Sequence, residues 1–164
     1  MTRTLVIGYG NPSRRDDGVG LAAINLLRAR MGLQPLDEAN EWLSDTGQTL
    51  DTLFQQQLTL ELVETLARYD RVFLVDAHVG VYPELVHRER VAPRESPGLV
   101  SHILKPEHLL ALAERVNGRA PDTTLYSVRG FDFNFGEQLS PATAEGVEQV
   151  IAEIWDSVRS TDQP

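Results

Sequence analysis

The 164-residue sequence contains no cysteine. This absence excludes disulfides, thiolate metal sites and cysteine nucleophiles together. An excess of basic residues is also missing, because 24 acidic residues outnumber 15 Lys and Arg residues and give a formal net charge of -9. Nucleic acids and anionic membranes bind basic surfaces, so the charge argues against both as the main partner. A cation or a basic protein surface is a better match for this charge.

Long apolar runs are absent as well. No segment approaches the roughly 20 apolar residues that cross a bilayer. The chain passes from Met1-Thr2-Arg3 directly into a strand-like run, without the apolar core of a signal peptide. We therefore expect a cytoplasmic protein. The length and the 41% hydrophobic content predict one domain over residues 1–159, followed by a frayed tail at residues 160–164.

Strand-like and helix-like segments alternate along the chain. Short apolar or alternating segments predict strands at residues 4–8, 71–76, 84–91 and 125–128. Residues 52–58 are a further candidate strand, although three consecutive glutamines make that segment a poor one. Helical spacing of apolar residues predicts helices at residues 19–30, 59–68, 106–116 and from 140 onward. The polar residues 36–52 predict a loop, with a turn at residues 45–47. This alternation predicts an α/β fold with three layers: a mostly parallel twisted sheet and helices on both of its faces.

The loop after the first strand, GYGNPSRRDDGVG, allows either a phosphate or a cation as its ligand. A dinucleotide fingerprint would need a glycine where Ser13 stands, and a phosphate-binding P-loop would need a lysine that the segment lacks. Asp16 and Asp17 would repel a phosphate, because two like unit charges ~5 Å apart repel by about 3 kcal/mol at an effective dielectric constant of ~20. The loop therefore favours a cation, although adjacent carboxylates before a helix more commonly serve as caps.

A second acidic residue and a histidine extend this interpretation. Asp76 ends a predicted strand, and ligands of parallel α/β folds gather at the carboxyl ends of strands. Among the four histidines, we assign His87 and His108 to the surface, whereas His102 precedes a helix in a loop that can return to the strand ends. Two carboxylates and an imidazole suit a divalent transition metal and leave coordination positions for substrate or water.

Four segments of the sequence resemble, in the same order, the hydrogenase maturation proteases. These endopeptidases trim the C-terminus of nickel-iron hydrogenase large subunits. The resembling segments are VIGYGNPSRRDDGVG, RVFLVDAHVG, SHILKPEHLLALAERVNGRAP and GEQLSPATAEGVEQVI. Together they cover most of the chain.

The resemblance implies a site and a substrate. It implies that Asp17, Asp76 and His102 converge on one metal, which is nickel carried by a hydrogenase large-subunit precursor rather than held by the resting protein. Nickel would act as a Lewis acid, or would mark the substrate while Asp16 or Asp17 serves as general base. A covalent intermediate is not expected, because the chain lacks both cysteine and a G-x-S-x-G elbow.

Two features leave alternatives open. A glycine-rich loop of many family members is replaced here by FQQQLTLELVETL, which makes substrate choice uncertain. Phe131, Phe133 and Phe135 alternate, and we expect them to face the core rather than a partner. The alternative functions are a maturation chaperone that binds nickel and precursor without cleaving, and a small-molecule hydrolase on the same scaffold.

Overall fold

The computed structural model describes residues 1–37, 39–40, 49–96 and 104–161. Five strands are present in this part of the chain: β1 Thr4–Tyr9, β2 Leu50–Gln55, β3 Arg71–His78, β4 Val86–Val91 and β5 Asp122–Arg129. The helices are α1 Val19–Arg30, α2 Leu62–Leu66, α3 Pro106–Asn117 and α4 Pro141–Thr161. One turn of 3-10 helix, Arg15–Gly18, precedes α1.

The five strands form one sheet in the order β2-β1-β3-β5-β4. All neighbouring strands are parallel except β4, which pairs antiparallel with β5 at the edge. Helices α1 and α4 pack on one face, and α2 and α3 pack on the other. The central strand β1 is buried on both faces, which explains its uninterrupted apolar run. The predicted three-layer, mostly parallel α/β fold is confirmed.

Strand β2 is the main difference from the sequence prediction. It spans Leu50–Gln55, so it overlaps the candidate strand at residues 52–58 but begins two residues earlier, within the predicted loop at residues 36–52. The polar side chains of Asp51 and Thr52 are buried there and have hydrogen-bond partners. The Thr52 hydroxyl accepts a hydrogen bond from the Arg28 guanidinium at 2.8 Å, and the Tyr69 hydroxyl donates to Asp51 at 2.9 Å. Because Asp51 and Thr52 are polar, the start of β2 lacks the apolar pattern by which strands are predicted. The predicted turn at residues 45–47 lies outside the described residues.

The end of α4 also differs from the expected frayed tail. The helix includes Ser160 and Thr161, whose hydroxyls donate to the backbone carbonyls of Asp156 and Ser157. The Arg71 guanidinium donates to the Thr161 hydroxyl at 3.0 Å and connects the helix to the start of β3. These bonds extend the helix to residue 161. Residues 162–164 lie outside the described part.

The strand order creates a crevice between β1 and β3. The chain leaves β1 through α1 to reach β2 on one side, and it returns through α2 to β3 on the other side. Connections that leave a parallel sheet to opposite faces open a crevice at the carboxyl ends of the two strands, where such folds bind ligands. The residues that follow Tyr9 and those at the end of β3 therefore border the expected ligand site.

Candidate functional site

Asp17 lies at this crevice in the loop that connects β1 to α1. One of its carboxylate oxygens accepts a hydrogen bond from the Asn11 backbone N–H at 2.9 Å, which closes the loop. Gly10 makes this approach possible: it has a φ of 131°, and a Cβ there would lie 2.3 Å from the Asp17 carbonyl oxygen. A side chain at Gly10 would therefore displace Asp17. The close approach of Gly10 to Asp17 explains why the loop contains a glycine at this position.

Asp76 lies near the end of β3 and is half-buried. The Ser127 hydroxyl donates to its carboxylate at 2.9 Å, and the Tyr9 hydroxyl also hydrogen-bonds to it. Burial raises the pKa of Asp76 to about 6, against the lowering effect of these two hydrogen bonds. The nearby carboxylates of Asp17 and Glu89 raise that pKa further. Asp17 and Asp76 are thus close enough to interact electrostatically.

Tyr9 and Ser127 are site residues that the sequence analysis missed. Strand alternation places Tyr9, Asp76 and Ser127 on the sheet face that packs against α2 and α3, and Asp76 pairs directly with Ser127 in the β3–β5 register. Burial, and then the charge of Asp76, raise the pKa of Tyr9 well above its ordinary value, so its hydroxyl stays a donor. A polar residue at the end of each apolar strand was the available signal.

Asp16 has different surroundings from Asp17, although the two are adjacent. Its side chain is fully buried and faces the segment that connects β5 to α4. Burial acts to raise the pKa of Asp16, but hydrogen bonds from Phe131, Ser140 and Asp132 outweigh it and lower the pKa below its ordinary value. The partners of the Asp16 carboxylate therefore lie in residues 131–140, whereas those of Asp76 are Ser127 and Tyr9. The sequence-based proposal that it serves as general base remains untested.

His102 lies outside the described residues. The nearest described segment begins at Leu104 and leads into α3, whose first turn lies near the site, because the Glu107 charge contributes to raising the pKa of Tyr9. Within residues 1–37, 39–40, 49–96 and 104–161, no three histidine or acidic side chains form a metal-binding group. The predicted metal set of Asp17, Asp76 and His102 therefore stays a prediction.

Two other histidines lie on the same side of the molecule. His87, on the edge strand, contacts the Glu84 and Glu89 carboxylates at 2.5 and 3.2 Å and stacks on the Tyr82 ring at 3.6 Å. The hydrogen bond to Glu84 raises the pKa of His87. His78, at the end of β3, contacts the edge of the Tyr82 ring. These contacts restrict the orientation of the His87 ring, which a surface histidine without partners would not show.

The aromatic residues after β5 correct one expectation. Phe131 and Phe135 are 54% and 87% exposed, so the prediction that they face the core is wrong for both. Residues 131–135 form bends rather than a strand, and strand alternation therefore does not apply to them.

A cavity of about 570 Å3 lies near this segment, lined on one side by Leu139 and on the other by Leu21 and Ala22 of α1. It lies on the α1 face of the sheet, away from Asp76.

The fold and the site define an α/β protein with two interacting carboxylates at the switch point of a parallel sheet. No protein-family model matches the sequence, and no curated protein matches it significantly. Solved structures do match the fold. The hydrogenase maturating endopeptidase HybD from E. coli has 23% identity and a TM-score of 0.65, with 98% of this chain and 94% of that chain covered.

Two archaeal structures give the same result. The [NiFe] hydrogenase maturation protease HycI from Thermococcus kodakarensis has 20% identity and a TM-score of 0.64 over 93% of this chain and 90% of that chain. The hydrogenase 2 maturation peptidase from Thaumarchaeota archaeon SCGC_AB-539-E09 has 19% identity and a TM-score of 0.62 over 95% and 97%. The chain therefore has the fold of the hydrogenase maturation proteases, as the sequence motifs indicated.

Proposed function

We propose that this protein is a cytoplasmic endopeptidase that removes the C-terminal extension of a nickel-loaded nickel-iron hydrogenase large-subunit precursor. The observation that carries the proposal is the position of Asp17 and Asp76, which lie at the carboxyl ends of the neighbouring strands β1 and β3 and border the crevice between them. This pair lies in a fold that is similar over nearly the whole chain to solved structures of hydrogenase maturation proteases. Both carboxylates belong to the motifs in which the sequence resembles that family.

The donor set suits nickel that is still attached to the precursor. Asp17 and Asp76 would contact the metal, and His102 would complete a set of two carboxylates and one imidazole. Because these residues would occupy only some coordination positions, the precursor could keep its own ligands on the metal. The Tyr9 and Ser127 hydroxyls hold the Asp76 carboxylate in place for this contact. The acidic character of the whole chain also favours a positively charged target.

Cleavage would proceed by direct attack of water on the scissile peptide. Water adds to the carbonyl carbon, its proton passes to a carboxylate and then to the leaving amine, and the C–N bond breaks. We assign the proton transfer to Asp17, because it is only half-buried and borders the crevice, whereas Asp16 is fully buried. Nickel on the precursor would polarise the carbonyl group as a Lewis acid.

The test is the intact mass of a nickel-loaded large-subunit precursor after incubation with the protein. We expect the loss of one C-terminal peptide in the presence of the wild type, and no loss with Asp17→Asn or with nickel-free precursor. Asp156→Asn is the matched control, because Asp156 is exposed near the far end of α4 and should leave cleavage unchanged.

Two other results would contradict the proposal. Binding of the precursor without a change in mass would indicate the non-cleaving chaperone. Hydrolysis of small esters or amides, with no action on the precursor, would indicate the small-molecule hydrolase.

A further inference from the structure

The Asp16 carboxylate accepts four hydrogen bonds from one segment, residues 131–140, which follows β5. One oxygen accepts the Ser140 backbone N–H at 2.7 Å. The other accepts the backbone N–H groups of Phe131 and Asp132 at 2.7 and 3.0 Å and the Ser140 hydroxyl at 2.7 Å. The protein thus supplies three donors to one carboxylate oxygen and one donor to the other. The carboxylate is also fully buried.

Backbone hydrogen bonds join the same two segments. The Arg15 N–H donates to the Gly136 carbonyl at 2.8 Å, and the Gly136 N–H donates to the Ser13 carbonyl at 3.0 Å. The Asp16 N–H donates to the Asp132 carbonyl at 3.0 Å. Arg15 has a φ of 43°, a left-handed conformation that is costly for a residue with a side chain and persists only where its surroundings hold it. The loop before α1 is therefore held in one conformation by residues more than 110 positions away.

This attachment determines where Asp17 points. Asp16 and Asp17 are consecutive residues of the 3-10 turn, and side chains one residue apart in such a turn diverge by about 120°. With Asp16 directed into the 131–140 segment, Asp17 is directed toward Asn11 and the crevice. A loop free to rotate at Asp16 would not hold the Asp17 carboxylate at the Asn11 N–H and the crevice.

We propose that Asp16 is a positioning residue: its carboxylate holds the loop before α1 against residues 131–140 and so fixes the Asp17 carboxylate at the site. A fully buried carboxylate that already accepts four hydrogen bonds from the protein is closed to substrate water, so the geometry favours positioning over general-base catalysis. The catalytic consequence rests on the proposed endopeptidase function, whereas the placement of Asp17 does not.

The experiment uses Asp16→Asn, Ser140→Ala and the control Asn134→Ala. Ser140→Ala keeps both carboxylates and removes only the hydroxyl that donates to Asp16, which makes it the informative variant if Asp16→Asn does not fold. Asn134 is exposed, and its side chain bonds only to Asp132 within the same segment. Two readouts need no substrate: amide hydrogen exchange at Phe131 and Asp132, and the side-chain carboxyl 13C resonance of Asp17.

We expect Ser140→Ala to increase exchange at these amides at least tenfold and to shift the Asp17 resonance, with both within experimental error of wild type in Asn134→Ala. Unchanged exchange or an unchanged Asp17 resonance in both Asp16→Asn and Ser140→Ala would overturn the proposal that Asp16 fixes the position of the Asp17 carboxylate. These measurements remain decisive even if the wild type cleaves no precursor, which would refute the proposed function alone.

Cleavage kinetics then distinguish three roles of Asp16: positioning of Asp17, general-base catalysis and a purely structural role. Positioning predicts that Ser140→Ala lowers kcat about tenfold per folded molecule while KM changes less than twofold. A general-base role predicts normal kcat in Ser140→Ala and no cleavage in Asp16→Asn. A purely structural role predicts normal kcat per folded molecule in both variants. Either of the last two results would overturn the proposal.

Discussion

Asp16 is fully buried and Asp76 is half-buried, yet the pKa values of their carboxyl groups move in opposite directions. Burial acts to raise both. At Asp16 the hydrogen bonds from residues 131, 132 and 140 outweigh burial and lower the pKa. At Asp76 burial prevails over two hydroxyl donors, and the pKa rises to about 6 with the help of the Asp17 and Glu89 charges.

The difference lies in the number and kind of donors. Three backbone N–H groups and a hydroxyl stabilise the charge of Asp16, and these donors belong to the fold itself. Within the described part of the chain, the donors to Asp76 are the Ser127 and Tyr9 hydroxyls, and its other neighbours include the carboxylates of Asp17 and Glu89. A carboxylate in the first situation supports structure. One in the second situation gains from an approaching cation, which the proposed nickel-loaded precursor would supply.

The largest expected effect is on Asp16. Asp16→Ala leaves three backbone N–H groups and a hydroxyl without their acceptor, and each lost hydrogen bond to a charged group contributes on the order of 1 kcal/mol or more. We expect the free energy of unfolding to fall by about 4 kcal/mol in a urea titration. The control Asp156→Ala should change it by less than about 0.5 kcal/mol. A similarly small loss in Asp16→Ala would mean that the carboxylate does not stabilise the fold.

At high pH, Asp76→Asn should stabilise the protein, whereas Asp16→Ala destabilises it. The native pKa of about 6 exceeds the ordinary value of 3.8, so native Asp76 binds its proton more tightly than the unfolded chain. Its contribution to stability is present below about pH 4 and is lost as the pH rises through about 6. Asn does not titrate, so the variant should be more stable than wild type at pH 8 by up to about 3 kcal/mol.

The measurement for this prediction is the melting temperature of both proteins between pH 4 and pH 8, in metal-free buffer. The gain should shrink steadily below pH 6 because wild-type Asp76 becomes protonated there. An equal gain at pH 4 and pH 8 would show that packing, rather than ionisation of Asp76, causes it.

Ser127→Ala should widen the difference between the pKa values of Asp16 and Asp76. We expect this effect to be smaller than the two effects above. The variant removes one of the two hydroxyls that stabilise the charged form of Asp76. We expect the pKa of Asp76 to rise further, on the order of one pH unit, in a carboxyl 13C NMR titration. Ser160→Ala is the matched control, because that hydroxyl bonds only within α4. A fall in the pKa of Asp76 would contradict this account of the site.

The smallest expected effect concerns the segment that Asp16 holds. Phe135 is 87% exposed, so its ring contributes little to keeping residues 131–140 in place. Phe135→Ser should change the free energy of unfolding by less than about 0.5 kcal/mol in the same urea titration. A loss comparable to that of Asp16→Ala would show that aromatic packing, rather than the buried carboxylate, holds the segment.

Much of the fold follows from local patterns. Helix α1 has the predicted bounds, and β1 and β3 lie where apolar runs predicted them. Strand β2 was partly missed because buried Asp51 and Thr52 interrupt its apolar pattern and depend on partners elsewhere. Parallel topology brings the carboxyl ends of β1 and β3 to the same edge, where the loop that carries Asp17 begins and the strand that carries Asp76 ends. Their convergence with His102 on one metal stays a prediction.

The sequence by itself determined the alternation of strands and helices, and thereby the edge at which acidic residues meet, because apolar periodicity is a local property of the chain. Only the tertiary structure separated the roles of Asp16 and Asp17. Adjacent residues of one turn point in different directions, and their partners lie more than 110 residues away for Asp16 and only six for Asp17. Hydrogen bonds between distant segments leave no periodic mark in a sequence, so burial and pKa at this site are properties of the folded chain.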